Sequence, residues 1–174
     1  MASIPENPAN GGRHPLPSLS KFSEVLSKIG FSPSSHVVIY DDKNGSNAAA
    51  RFWWMLRAIG HEKVQVLNGG LQEAVKAGFP TSSETENFEK TAKYPISDWK
   101  LGLADIEEVE KARNNPQNIV IDVRDANRFN GLTEPIDTIA GHIPGAINIP
   151  FTENLNEEGR FITPEILNEK YTLA

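Results

Sequence analysis

Apolar and polar positions along the chain follow two alternating periods. Leu19, Phe22, Val25, Leu26 and Ile29 recur at the spacing of one helix face, and Gly30 stands where such a helix stops. Val37-Val38-Ile39-Tyr40 is a short apolar run rich in β-branched residues, which predicts a buried strand. A polar turn over Asp41 to Asn47, centred on Asn44-Gly45, separates it from an apolar helix expected from Ala48 to Ile59 and ended by Gly60. Val64 to Leu67 reads as a second strand, Asn68-Gly69-Gly70 as a turn, and Leu71 to Ala77 as a short helix stopped by Gly78 ahead of Pro80. This strand–helix–strand–helix order with short connections predicts a parallel sheet. Before it, residues 1–17 carry Pro5, Pro8, Gly11, Gly12, Pro15 and Pro17, which predicts an irregular arm.

Residues 81–103 lose this patterning. They are rich in Ser, Thr, Glu, Lys and Asn, and read as a linker, with Trp99 expected to pin it to a surface. Two structural units follow from this: residues 13–80 and residues 104–174. The second begins with a helix from about Ala104 to Arg113, with Asp105 near its start and Ile106 and Val109 expected to point inward. Ile119 to Asp122 reads as a strand, Arg124 to Thr138 as a long polar loop, and Ile147 to Pro150 as another strand. Thr163 and Pro164 are the expected N-cap and first position of a last helix.

Composition narrows the chemistry. The chain of 174 residues is 39% hydrophobic and 23% charged, ordinary for a globular protein. Its net charge of −6, without a Lys/Arg cluster, disfavours nucleic acid and anionic membranes as partners. No apolar run is long enough for a membrane-spanning helix, and the polar, Pro-rich N-terminus lacks the pattern of a signal peptide, so a cytoplasmic location is expected. There is no cysteine, which removes disulfides, thiolate metal sites and any cysteine nucleophile. The four histidines show no close metal-ligand spacing, so neither a metal nor a cofactor is expected.

Three stretches carry a resemblance. The first is Val37 to Asp41 with Ala49-Ala50-Arg51-Phe52-Trp53-Trp54-Met55-Leu56-Arg57-Ala58-Ile59-Gly60-His61, continued by Val66-Leu67-Asn68-Gly69-Gly70-Leu71. The second is Ile121-Asp122-Val123-Arg124-Asp125-Ala126-Asn127-Arg128-Phe129-Asn130-Gly131. The third is Gly141-His142-Ile143-Pro144-Gly145-Ala146-Ile147-Asn148-Ile149-Pro150-Phe151. In order and spacing they resemble the tandem-domain rhodanese family, the thiosulfate and 3-mercaptopyruvate sulfurtransferases, over nearly the whole chain. The resemblance implies an α/β fold, a rhodanese-like parallel sheet flanked by helices. It places residues 13–80 in the back half of a non-catalytic first domain and residues 104–174 in the front half of a catalytic second domain. These are two incomplete half-domains, or halves paired as one permuted domain. One departure is Gln72-Glu73-Ala74, where the family usually has a tryptophan. A larger one is that the chain stops before the Cys-x-x-Gly-x-x-Ala loop that carries the family's nucleophile, so a fragment is expected.

The family's cysteine takes sulfane sulfur from a small anionic donor as a persulfide and passes it to cyanide or a thiol. The resemblance places Arg128 on the arginine that binds the donor. Its position, six residues after Asp122 in a loop behind a strand, fits that role. The competing reading is an arginine paired with Asp125 or Glu134. Asp122 and Arg124 are expected to brace the loop as a pair, and His142 to hold the following turn. His14 matches a histidine that some mercaptopyruvate-type members place near the active site; the alternative is a surface histidine on the arm. Mercaptopyruvate-type members carry a second arginine after a Glu-Pro pair, whereas Glu134-Pro135 is followed here by Ile136-Asp137, which favours thiosulfate as donor. Asp41 stands where the nucleophile would in the first unit, beside an Asn44-Gly45-Ser46 loop whose affinity for anions Asp41 and Asp42 oppose. His61 reads as a helix-end residue favourable to the dipole if charged. A non-catalytic rhodanese-like binding module is the alternative function. Oligomeric state is not legible.

Overall fold

A computed structural model describes residues 14–172. Most of the irregular arm expected over residues 1–17 therefore lies outside the described residues. The chain divides into two compact units, the first ending at Leu101 and the second beginning at Gly102.

The first unit holds α1 (Leu19–Lys28), β1 (Val37–Ile39), α2 (Ala48–Ala58), β2 (Val64–Val66) and α3 (Gly70–Lys76). The two strands pair in parallel, with Val37 opposite Val64 and Ile39 opposite Val66. Ser18 caps α1 by accepting the Lys21 N–H. Both long helices end on a glycine in the left-handed region, Gly30 at φ +74° and Gly60 at φ +85°. Each glycine lets the next residue fold back: Phe31 N–H donates to the Leu26 carbonyl and His61 N–H to that of Leu56. The two returns meet, with the Phe31 and His61 rings 4.7 Å apart. Phe22, Leu26, Phe31, Met55, Leu56, Ile59, Val64 and Tyr94 form the core.

Tyr94 belongs to the segment read as a linker. Residues 81–103 hold no helix or strand, yet their second half is packed on the first unit. Ser23 Oγ donates to the Tyr94 carbonyl at 2.7 Å and Ser27 Oγ to that of Thr91 at 2.6 Å. Trp99 stacks against Phe22 and Trp54. His61 departs from its expected role as a charged helix-end residue. It is only 3% exposed, and its Nδ1 lies 3.0 Å from the Tyr94 hydroxyl. Burial, partly offset by nearby backbone groups, holds its pKa below the usual histidine value, so the folded state keeps it neutral.

The second unit holds α4 (Ile106–Arg113), β3 (Ile121–Asp122), α5 (Ala126–Phe129), β4 (Ile147–Asn148), a 3₁₀ turn (Phe151–Asn154) and α6 (Pro164–Thr172). Asp105 and Glu108 close a capping box at the start of α4. That geometry makes Ile106 the first helical residue, and it is 86% exposed rather than inward-facing. β3 and β4 run parallel, with Ile121 opposite Ile147. The loop expected from Arg124 to Thr138 contains α5, a single turn too short for periodicity to reveal. Among the described residues of this unit, Ile149 is the only buried apolar side chain.

β1–β2 and β3–β4 are separate two-stranded sheets.

Candidate functional site

The loop behind β3 gathers the charged residues. Asp122, at the end of β3, accepts the Arg124 backbone N–H at 2.9 Å, Nε at 3.0 Å and Nη2 at 2.5 Å. Arg124 also donates from Nη2 to the Gly141 carbonyl at 2.6 Å. The expected pair of Asp122 and Arg124 therefore forms, and it ties β3 to the turn before β4. The Arg124 side chain, against a smaller opposing effect of burial, holds the Asp122 carboxyl below the usual range. Asn148 on β4 fixes the same backbone, donating to the carbonyls of Asp122 and Arg124 at 2.9 Å each. His142 Nδ1 lies 2.7 Å from the Phe129 carbonyl, and its ring stacks on the Phe129 ring at 3.7 Å. A carbonyl only accepts, so Nδ1 carries a proton.

Arg128 sits in the single turn of α5. Asp125 caps that turn, accepting the N–H groups of Asn127 and Arg128 at 3.1 Å. The Arg128 side chain turns to Glu134: Nε lies 3.2 Å from Oε2, and Nη2 lies 2.8 Å from Oε1. Nη2 also reaches Asp137 Oδ2 at 3.2 Å. Of the two partners named in the competing reading, Glu134 takes the guanidinium and Asp125 takes only the backbone. Glu134 is 5% exposed and is also approached by Arg124 Nη1 at 3.4 Å. The Asp137 backbone N–H, then the Arg128 side chain, bring the Glu134 pKa down to about 2. Glu134 thus joins the two arginines, a role that sequence reasoning missed. The Glu-Pro pair six residues after Arg128 was the available signal.

An open cavity of about 420 Å³ is lined by Asp122, Arg124, Ile139, Ala140, Gly141, His142 and Ile143. Arg128 is not part of that lining. His14 lies in the first unit with an exposed side chain, and its carbonyl accepts from Arg51 Nη2 at 2.9 Å. Among the described residues no His/Asp/Glu cluster fits a metal, and no helix is long and apolar enough to cross a membrane.

In the first unit, the loop after β1 is an anion cradle filled from within. The Asp41 carboxylate accepts the N–H groups of Lys43, Gly45, Asn47 and Ala49 at 2.8, 2.8, 3.2 and 2.9 Å. Burial raises the Asp41 pKa, but the four donors outweigh it and the carboxyl titrates below its ordinary value.

Two short parallel sheets flanked by helices, each with a polar loop at the strand ends, define an α/β sheet protein. The rhodanese-like domain model matches residues 3–77 and 105–170, and the chain belongs to that family. It is 40% identical over 158 residues to the 3-mercaptopyruvate sulfurtransferase of Mus musculus, covering 87% of this chain and 52% of that protein. It is 39% identical over 146 residues to the thiosulfate sulfurtransferase of Gallus gallus, covering 83% and 50%. The structure of the 3-mercaptopyruvate sulfurtransferase from Leishmania major matches 97% of this chain and 47% of that one, with a TM-score of 0.65 at 31% identity. The chain thus spans about half the length of these curated relatives.

Proposed function

We propose that this chain supplies the donor-binding part of a sulfurtransferase, with residues 13–80 and 104–174 as portions of a non-catalytic and a catalytic rhodanese domain. Arg128 binds a small anionic sulfur donor. In the family's chemistry a cysteine thiolate takes the sulfane sulfur, sulfite leaves when the donor is thiosulfate, and the persulfide passes its sulfur to cyanide or a thiol. This chain holds no cysteine, so the thiol comes from outside residues 1–174. Asp122, Arg124 and His142 brace the loop, and no cofactor takes part. His14 is a candidate neighbour of the site. The cytoplasm is the proposed location.

The observation that carries this reading is Arg128 itself, held rigidly by Glu134 on a turn directly after a parallel strand of a rhodanese-like unit. α/β sheets bind ligands at such strand ends, and a planar guanidinium suits a tetrahedral oxyanion. Asp137, beside Arg128 where a second cation would serve a carboxylate donor, favours thiosulfate over 3-mercaptopyruvate.

The test is a thiosulfate titration of the full chain, followed by NMR at the arginine side chains. Shifts confined to residues near 124–142 are expected, together with their loss in Arg128→Ala. The chain alone is expected to form no thiocyanate from thiosulfate and cyanide. Absence of any thiosulfate-dependent shift would leave the second reading, a non-catalytic rhodanese-like binding module, which the missing cysteine favours.

A further inference from the structure

Asparagine followed by glycine is a reactive pair in any chain. The Asn side-chain carbonyl carbon lies one methylene from the backbone, so the next backbone nitrogen closes a five-membered ring on it, and a glycine has no Cβ to hinder the approach. The described residues hold three such pairs, Asn44-Gly45, Asn68-Gly69 and Asn130-Gly131. Their surroundings differ. Gly45 is buried, and its N–H donates to Asp41 Oδ1 at 2.8 Å. Gly69 is also buried, with the Glu73 side chain against its Cα. Gly131 is exposed, and so is Asn130, whose side chain has no hydrogen-bond partner among the described residues. Asn130 is the C-cap of α5, a single turn, and the Gly131 N–H donates to the Arg128 carbonyl at 3.2 Å. The Asn130 ψ of 0° keeps its side chain and the Gly131 nitrogen out of line for ring closure while that turn is formed. Reaction therefore follows opening of the turn, and helix ends are where opening costs least.

We propose that Asn130 is a site of spontaneous deamidation, selected by the fold from the three pairs, and that its β-linked product breaks the turn that carries Arg128. The Gly131 nitrogen bonds to Asn130 Cγ, the Cγ–Nδ2 bond breaks, and ammonia leaves with the proton that the Gly131 nitrogen gives up through solvent. Water then opens the succinimide at either carbonyl, giving aspartate or isoaspartate. The reaction takes only water and needs no oxidant or reductant. Both products add a negative charge two residues after Arg128. Isoaspartate also inserts a methylene into the backbone between Arg128 and Glu134, whose side chains pair at 2.8 Å. The Leu132 N–H to Asn127 carbonyl bond, 2.9 Å, spans the lengthened backbone and is the first to be lost. The modification does not depend on what Arg128 binds.

The experiment incubates the full chain at mildly alkaline pH in heavy-oxygen water. Each Asn-Gly peptide is then mapped by mass spectrometry, with fragmentation that separates aspartate from its β-linked isomer. The peptide holding Asn130 is expected to exchange amide for acid at least about tenfold faster than that holding Asn44, where a carboxylate holds the glycine nitrogen. It is also expected to react ahead of the peptide holding Asn68. One heavy oxygen enters per event, and isoaspartate is the larger product. In urea the three rates are expected to converge, because the fold no longer distinguishes the pairs. The Asn10-Gly11 pair, outside the described residues, falls in a peptide of its own. Reaction at Asn130 no faster than at Asn44 and Asn68 would overturn the assignment. The same order persisting in urea would overturn selection by the fold. The structural consequence has its own readout. Hydrogen exchange at the Leu132 N–H is expected to rise in the aged chain and to stay unchanged in Asn130→Asp, which adds the charge without lengthening the backbone. Unchanged exchange in the aged chain, or an equal rise in Asn130→Asp, would overturn the breaking of the turn by the inserted methylene.

Discussion

Asp41 shows how one residue replaces chemistry with structure. The resemblance sets it against the nucleophile position of the family's other domain, and a carboxylate forms no persulfide. Its surroundings nevertheless stabilise an anion, because four backbone N–H groups point at its oxygens. Removing the side chain leaves those donors without their partner, so Asp41→Ala is expected to destabilise the first unit by about 2 kcal/mol at neutral pH. The pH dependence has a definite sign. The folded carboxyl titrates below the ordinary aspartate value, so the unfolded chain binds the proton first as pH falls. The stabilisation is complete above that value and is lost as pH drops through the folded pKa. Urea midpoints of wild type and Asp41→Ala, taken from neutral pH down into the acid range, are expected to converge. A gap that stays constant with pH would mean that the charge on Asp41 does not matter. The cradle was half legible in the sequence. Asn44-Gly45 marked the turn, and the adjacent acids argued against an external anion, but the wrapping of four donors around Asp41 depends on backbone angles that no residue pattern specifies.

Among the elements, the unstructured segment after α3 carries more stability than its composition suggests. Its low apolar content read as a linker, because a few well-spaced aromatics carry no period for pattern reading to detect. Tyr94 and Trp99 reach the core one at a time, while Ser23 and Ser27 on α1 hold the backbone of the segment between them. The helices and strands of the first unit were legible for the opposite reason: their apolar faces repeat, and Gly30 and Gly60 mark their ends. The second unit was legible in order but not in extent, since its strands are two residues long and α5 is a single turn. At the candidate site, the Asp122–Arg124 pair and Glu134 as a partner of Arg128 were legible, and the Glu134 link between the two arginines was not. The docked segment makes a testable pair with His61. Tyr94→Phe removes the hydroxyl from His61 Nδ1 in a buried setting, and a loss of about 1 kcal/mol is expected, read by tryptophan fluorescence in urea. Burial holds the His61 pKa below 6.5, so the unfolded chain takes up a proton before the folded one does. The first unit is therefore expected to lose stability as pH falls below about 6.5. His61→Gln is expected to flatten that slope, and an unchanged slope would assign it to other groups.

Across the whole molecule, the two units differ in how much apolar surface each encloses. The first has eight residues in one buried cluster. The second leaves Ile106, Ile119, Leu132 and Ile139 between 56% and 86% exposed. A two-stranded sheet is marginal in water without a face to bury, and β3–β4 has little beyond Ile149 and the charged loop to hold it. In the arginine–carboxylate network the side chains of Asp122, Arg124, Arg128 and Glu134 are 5–28% exposed and that of Asp137 is 51%, and partly solvated pairs supply geometry more than stability. The units are thus expected to unfold in separate transitions, the second at lower denaturant. Trp53, Trp54 and Trp99 all fall in the first unit, so fluorescence reports that unit alone. Amide exchange at Ile147 and Ile149, which donate to the Val120 and Asp122 carbonyls, reports the second unit, and at Val37 and Leu67, which donate to those of Lys63 and Ile39, the first. Faster exchange at the former pair, with circular dichroism falling in two steps of which only the upper coincides with the fluorescence change, is the expected pattern. A single coincident transition would mean that the exposed apolar side chains of the second unit find cover in solution. The candidate site would then rest on that cover as well as on its own ion pairs.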